Sequence, residues 1–386
     1  MTLLPIQDGN TAMPPTIFLQ SRFWAGFKCA NGWSSIRLLV NTDDEASDAT
    51  LVGDGGIVPY EVSVLFRKLI WSFTFAYVPH GPETIYRKES SQNHLERLGK
   101  SLKAWLPRSC MFIRFDPGWY TAGIETESTG RPVFFPPLLK ASDVQPPDTV
   151  VLDLSCTKDE MLARMKPKWR YNIKLAEKKN IVIAEEGYAA LDTFYSLYQQ
   201  TAARDRISVH PKSYYGKLFE LALKNKLSDT QSAGDQSAEG RSGDAGKWTS
   251  GTRGEPVPDL RLWVARHEGQ ALAVIVTLFY GTTATYLYGA SSDEKRNLMP
   301  AYALQWAAIT SAKAAGCLEY DMYGIPPNND ENHPMAGLYR FKTGFGGELR
   351  HYPGAWDYVY LPRVYFLFRA AERLRLLWHK KLRKIR

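Results

Sequence analysis

The sequence predicts an α/β protein of the α+β kind, built as two consecutive domains in which mixed sheets are flanked by helices. Three observations carry that expectation. A chain of 386 residues is too long for most single hydrophobic cores, and two domains of ordinary size are the natural division. Short apolar runs with strand character alternate with helical stretches along both halves, the grammar of sheets covered by helices. A hydrophobic content of 44 %, with 11 Trp and 21 Tyr, supplies large side chains for two cores and for stacking surfaces as well.

Residues 1–16 are polar and contain proline, which predicts a loosely ordered start. The first domain, expected over 1–148, has strand-like runs at Ser34–Val40, Val62–Val78 (interrupted by Arg67 and Lys68) and Met111–Phe115, with a helix around His94–Leu106. Pro136, Pro137, Pro146 and Pro147 bracket a connection that ends in the strand-like Thr149–Leu154. The second domain, expected over 149–355, starts with a helix over Lys158–Lys179, opened by Thr157 with Glu160 three positions on, a capping-box spacing. Pro167 removes an amide from its middle and should break it there.

Helices follow over 191–205 and 213–226, then three strands, Leu260–Arg266, Ala271–Tyr280 and Thr285–Tyr288, with turns at Glu268-Gly269 and Gly281, as in a meander. Residues 228–258 are rich in Ser, Gly, Asp and Thr and nearly devoid of large apolar side chains; they cannot bury enough surface to offset ordering entropy, so a disordered insertion is expected. Pro300 fits the first turn of an Ala-rich helix over Ala301–Ala315, and Gly316 stops it. Just before it, Arg296-Asn-Leu-Met-Pro-Ala301 invites comparison with the acetyltransferase loop Arg-x-x-Gly-x-Ala, whose bare amides cradle a pyrophosphate at a helix start. Met299 stands at the glycine position and Pro300 deletes an amide, so the architecture is acetyltransferase-like without the cradle.

The formal net charge of +8 is not spread evenly, since residues 361–386 hold nine Lys or Arg against one acid, Glu372, and the rest is balanced. A protein that coats nucleic acid over its whole surface is therefore disfavoured. Val364, Leu367, Phe368, Ala371, Leu374, Trp378, Leu382 and Ile385 recur at near-helical spacing in the same tail; its first half should pack on the protein, and its second half suits a peripheral contact with an anionic membrane, an RNA contact or a frayed basic end. The four cysteines, Cys29, Cys110, Cys156 and Cys317, are far apart, and seven scattered histidines form no metal-ligand spacing, so no metal and no cofactor are expected. No apolar run reaches the ~18 residues of a membrane span, and the first residues lack a secretion signal, which leads to the expectation of a cytoplasmic protein.

The most informative stretch is 334–357, where Tyr339, Phe341 and Lys342 run into Gly344, Gly346 and Gly347. A lone cation and aromatic faces beside bare backbone suggest a place where a ligand approaches and negative charge is stabilised. The stretch resembles the C-terminal signature of the FemABX family, enzymes that transfer amino acids from aminoacyl-tRNA to the stem peptide of peptidoglycan precursors. The resemblance extends, in the family's order, to Phe18–Lys28, Tyr77-Val-Pro-His-Gly-Pro82, Phe112-Ile-Arg-Phe-Asp-Pro117, Lys168-Trp-Arg-Tyr-Asn-Ile-Lys174 and Tyr286-Leu-Tyr-Gly-Ala-Ser-Ser292, spanning roughly residues 17–360.

The family is similar to two tandem acetyltransferase-like (GNAT-like) domains that do not use coenzyme A, with the C-terminal helix, here 356–386, returning to the first domain. It implies an aminoacyltransferase with aminoacyl-tRNA as donor and lipid II or UDP-MurNAc-pentapeptide as acceptor. Attack of an amine on an already reactive ester needs positioning and oxyanion stabilisation more than a nucleophilic triad. Lys342 is the catalytic candidate, set against a solvated lysine on a helix face, and Phe341 would stack on a tRNA base or pack in the core. Asp116, before Pro117, would orient the attacking ammonium or take its proton, set against a turn-capping role.

For the acceptor, the resemblance points to Lys28 (one turn after Trp24), Tyr214 and Tyr288. His210 falls where relatives often have arginine, and Arg296 completes the set through the loop before the helix. Lys168 and Arg170 belong to a positive cluster with Trp169 and Tyr171 interleaved, which suits an RNA backbone or a solvated helix. Two other functions remain open: an N-acyltransferase or aminoacyl-tRNA-protein transferase on another amine, and a non-catalytic RNA or membrane-surface module. The donated amino acid and the acceptor residue are not legible.

Overall fold

A computed structural model describes residues 1–6, 14–41, 59–69, 72–83, 90–123, 134–205, 207–235 and 254–385. In chain order the strands are β1 (Thr2–Pro5), β2 (Ser34–Asn41), β3 (Tyr60–Lys68), β4 (Thr74–Val78), β5 (Cys110–Phe115), β6 (Thr121–Gly123), β7 (Leu138–Lys140), β8 (Asp148–Asp153), β9 (Val182–Glu185), β10 (Asp259–His267), β11 (Gln270–Tyr280), β12 (Thr283–Ser291), β13 (Glu319–Asp321), β14 (Glu348–His351) and β15 (Trp356–Val359). The helices are α1 (Arg22–Cys29), α2 (Ser91–Leu102), α3 (Lys158–Arg164), α4 (Pro167–Lys178), α5 (Leu191–Asp205), α6 (Lys212–Asp235), α7 (Pro300–Ala314), α8 (Ala336–Thr343) and α9 (Pro362–Ile385). They form two compact units, one of Met1–Trp119, Pro132–Gln145 and Pro353–Arg386, the other of Tyr120–Arg131 and Pro146–Tyr352.

The first unit carries a mixed sheet in the order β1-β2-β3-β4-β5-β15-β7, antiparallel except for the parallel β4–β5 pair. Val62, Val64, Ile113 and Phe115 present alternate side chains to a core closed by Leu95, Leu98 and Leu102 of α2, the i, i+3, i+7 stripe of that helix. Thr2–Pro5 are better ordered than the composition of residues 1–16 suggests: they pair with β2, and Leu3 is drawn into the core, while residues 7–13 lie outside the described residues. The run over 62–78 is two antiparallel strands, β3 ending at the charged Arg67-Lys68 pair that cannot enter the core. The helix after β15 returns to this unit, with Tyr365 and Phe368 of α9 packed on Phe112, ring centroids at 5.2 and 5.7 Å, but Leu367, Ala371 and Leu374 of the stripe expected to pack stay exposed. Arg114 makes a two-pronged ion pair with the buried Asp357 at 2.7 and 2.9 Å, and the Tyr365 hydroxyl donates to the same carboxylate at 3.0 Å.

The second unit has the order β6-β14-β8-β13-β12-β11-β10-β9, with β12–β13 parallel. The β10–β11–β12 meander stands where the sequence placed it, and Leu304, Ala308 and Ala312 of α7 bury against Ala273 and Ile275 of β11 in one core with Trp169 and Ile173 of α4. The capping box at Thr157 and Glu160 is formed, and the break before Pro167 separates α3 from α4 through the extended Met165 and Lys166. Helix α6 runs on to Asp235, into the stretch expected to be unstructured from residue 228; the Ser228 hydroxyl satisfies the Lys224 carbonyl, and a polar helix extension in water costs little. Residues 236–253 of the expected insertion lie outside the described residues.

Candidate active site

In the second unit α8 turns Tyr339 and Lys342, three residues apart on one helix face, inward; they are 1 % and 5 % exposed. The alternative of a solvated lysine is therefore excluded. Lys342 Nζ donates to the Tyr323 and Gly324 carbonyls, each at 3.0 Å, and stands 5.1 Å from the Tyr286 ring centroid. Burial pulls its pKa from 10.5 down to about 7, against the opposing pull of Asp321. An amine with two hydrogens committed to carbonyls has one position left, which holds a lone pair in the neutral form and a third hydrogen in the charged form. The same atom can thus accept a proton or donate to an oxyanion near neutral pH.

Those two carbonyls come from a turn that the sequence reading missed. Asp321, the last residue of β13, accepts from the Tyr323 amide at 2.7 Å and from the Thr149 hydroxyl, and Tyr323 takes the left-handed conformation, φ +57°. A Cβ on Gly324 would lie 2.6 Å from Pro146 Cγ, so the turn packs directly against the Pro146 ring. An Asp two residues before an aromatic and then Gly was the available signal.

Tyr214 and Tyr288 come together with His210. The His210 ring stacks on Tyr214, centroids 4.0 Å apart at 18°, and Tyr288 meets Tyr215 edge-on at 5.2 Å. Burial lifts the Tyr214 phenol to about 12, and burial with the surrounding phenols of Tyr214, Tyr215, Tyr323 and Tyr198 lifts Tyr288 far above its ordinary range. These hydroxyls stay protonated and act as neutral hydrogen-bond partners. Tyr323 belongs to both groupings, which connects the tyrosine cluster to the turn that holds Lys342.

The glycines after Lys342 are required for close packing, and Gly346 and Gly347 also line an open cleft. A Cβ on Gly344 would fall 2.2 Å from Trp169, on Gly346 (φ +85°) 2.4 Å from the Arg164 carbonyl oxygen, and on Gly347 2.6 Å from Val150. Bare backbone here lets the α8 exit press against α4 and β8, and so fixes the helix that carries Lys342. Phe341 is half-buried, meets Tyr302 and Phe345 edge-on at 5.2 and 5.3 Å, and its carbonyl accepts from Trp169 Nε1 at 2.9 Å. Arg170 donates to the last carbonyls of α3, at 2.5 Å to Met165 and 3.3 Å to Leu162 and Ala163, while Lys168 is exposed. The guanidinium thus has a structural use that spacing does not reveal.

Arg296 lies exposed in the turn before α7, 3.7 Å from Asp293. Met299 adopts the left-handed φ of +57° directly before Pro300 at the first helical position. A side chain and a missing amide thus stand at the helix start, where a phosphate-binding loop would present bare backbone. That open cleft, lined by Gly346 and Gly347 together with Asp153, Arg164, Glu319 and Arg350, has its arginines already paired, Arg164 with Asp153 at 3.1 Å and Arg350 with Glu319 at 2.5 Å.

In the first unit Asp116 directly follows β5, 1 % exposed. Its Oδ2 accepts from the Tyr77 hydroxyl at 3.0 Å and the Gln145 amide at 3.1 Å, and Oδ1 has no partner among the described residues. Burial raises its pKa to about 7, more than these two donors lower it. Lys28 is half-buried on α1, its Nζ 5.5 Å from both the Trp24 and Trp33 rings, and burial together with Arg67 lowers its pKa. Arg67, read in the sequence only as a charge interrupting a strand, lies 4.5 Å over the same Trp33, so two cations share an aromatic platform.

The FemAB family model matches residues 138–226 and 263–373, just over half of the chain. The lipid II:glycine glycyltransferase of Staphylococcus saprophyticus is 26 % identical over 385 residues, covering 90 % of this chain and 89 % of that protein. The Staphylococcus aureus (strain USA300) protein of the same name is 23 % identical over 390 residues with the same coverage. The crystal structure of FemX superimposes with a TM-score of 0.67 at 19 % identity, over 95 % of this chain and 99 % of that one, and shares its fold. With the family model covering most of the second unit and the return into β15 and α9, the chain belongs to the FemAB family.

Proposed function

We propose that the protein is an aminoacyltransferase of peptidoglycan bridge formation, moving an amino acid from aminoacyl-tRNA to the side-chain amine of a precursor's stem peptide. Relatives named for glycyl transfer to lipid II align along nine-tenths of the chain, which favours lipid II over UDP-MurNAc-pentapeptide as acceptor. The observation that carries the chemistry is the buried Lys342 amine, held by two carbonyls with a pKa of about 7.

In the reaction the acceptor nitrogen forms a bond to the ester carbonyl carbon, the carbonyl oxygen becomes an oxyanion, and collapse breaks the bond to the tRNA ribose oxygen, which leaves with a proton. Lys342 as ammonium donates to that oxyanion, a contribution that single donors make at roughly 10² to 10³ in rate. The acceptor amine has an intrinsic pKa near ~10.4 and must lose a proton to attack. Asp116 of the first unit, whose carboxyl titrates near 7, is by itself a group suited to take up a proton near neutral pH. Tyr214, Tyr288 and His210 offer flat faces and neutral hydroxyls for the sugar and peptide of the acceptor, and Lys28 and Arg296 offer cations for its phosphates. The exposed Lys168 and neighbouring basic side chains of α4 suit the tRNA backbone; Arg170 and Phe341 would contribute from half-buried positions.

The test is direct. Purified protein is mixed with tRNA charged in turn with each labelled amino acid and with lipid II and UDP-MurNAc-pentapeptide carrying lysine, ornithine or diaminopimelate. Amide formation for one donor is expected, faster on lipid II. Absence of transfer across the whole panel, by protein that is folded, overturns the proposal.

A further inference from the structure

One face of α9 is accounted for by the contacts of Tyr365 and Phe368 with Phe112 and by the Tyr365 bond to Asp357. The other is not. Phe366, Leu367 and Leu374 are 61 %, 72 % and 67 % exposed, and Leu367 and Leu374, two turns apart, point the same way from a helix that the buried ion pair holds at its base. Exposed Arg363 and Arg373 flank them, and residues 361–386 carry nine basic side chains against one acid. That acid, Glu372, already faces Arg369 at 3.8 Å.

We propose that α9 is a membrane-surface helix, whose outer stripe of Phe366, Leu367 and Leu374 sinks into an anionic bilayer while the exposed Arg363 and Arg373 meet the headgroups. Charge selects this occupant. A second copy of the chain would bring a second block of like charge to the same face, and an RNA backbone would satisfy the cations while leaving two leucines in water. An anionic lipid surface takes both the apolar stripe and the charge. No helix among the described residues is long and apolar enough to cross a membrane, so α9 lies on the surface. This inference stands on α9 alone and does not depend on the role of Lys342.

The experiment uses the full chain and sedimented vesicles of phosphatidylcholine, with and without about one-third phosphatidylglycerol, as in anionic leaflets. Binding to the anionic vesicles only is expected, falling by roughly tenfold or more as salt rises from about 0.05 to 0.5 M. Leu367→Asp with Leu374→Asp should lower the partition coefficient by about tenfold or more at unchanged melting temperature, because both side chains are already in water, and Arg363→Glu with Arg373→Glu should do the same. Equal partition of wild type and both variants overturns the proposal. So does a result in which the variants leave vesicle binding intact and instead weaken binding to bulk tRNA, or convert a dimer to a monomer in sedimentation.

Discussion

Replacing Lys342 by methionine tests both the burial of the amine and its chemistry. Unfolded, the lysine holds its proton up to about 10.5; folded, it gives it up near 7. Between those values the unfolded chain binds more protons, so wild-type stability rises with pH across the window and the burden is fully present below pH 7. A shift of that size corresponds to about 5 kcal/mol at ~1.4 kcal/mol per unit. Methionine removes that burden, yet leaves the Tyr323 and Gly324 carbonyls without their donor, at about 1 to 3 kcal/mol each. The variant should match wild type within ~2 kcal/mol at pH 6 and be several kcal/mol weaker at pH 10. Urea unfolding of both proteins at a series of pH values from 6 to 10 reads this out, because every other titrating group cancels in the difference. Transfer measured in parallel should fall by roughly 10² to 10³. A wild-type-minus-variant stability that is flat in pH would refute the burial argument, and an unchanged transfer rate would refute the oxyanion role.

Asp116→Asn should stabilise the protein above pH 7, by up to about 4 kcal/mol, and have little effect near pH 4, because the folded carboxyl binds its proton through a range where the unfolded one has lost it; a gain that is equal at both pH values would contradict this. Arg114→Ala strands the buried Asp357 carboxylate and should cost about 3 to 5 kcal/mol, seen as a large fall in the denaturation midpoint; a loss under ~1 kcal/mol would mean that the pair is not buried as described. Gly346→Ala must place a Cβ 2.4 Å from the Arg164 carbonyl at φ +85°, so a loss of at least ~2 kcal/mol is expected, and a neutral result would remove the packing role of that glycine.

Local chemistry made much of the fold legible. The capping box at Thr157, the break at Pro167, the Ala-rich α7 between Pro300 and Gly316, and the turn-separated β10, β11 and β12 all depend on neighbours within a few residues, and they formed where spacing placed them. What lay beyond reach depends on partners distant in sequence. Arg170 reads as one more cation of a basic run until the open end of α3 is brought to it, and the packing need for Gly344, Gly346 and Gly347 shows only once Trp169, the Arg164 carbonyl and β8 are brought against them. Lys342 was singled out as a lone cation beside aromatics and glycines, and by resemblance, but its carbonyl partners 18 and 19 residues upstream come from the turn at Asp321, and its low pKa from burial. Asp116 likewise gains its high pKa from enclosure by Tyr77 and Gln145.

The place of β15 has a consequence for how the chain is made. That strand sits between β5 and β7 in the first sheet, yet it is synthesised after the entire second unit. A ribosome that has just released β7 has delivered a sheet with a gap in its interior, whose open edges on β5 and β7 invite wrong partners. The second unit can close from its own segments while the first waits. Expression of residues 1–145 alone should therefore give aggregates, whereas adding the last segment in trans offers those edges the strand they lack.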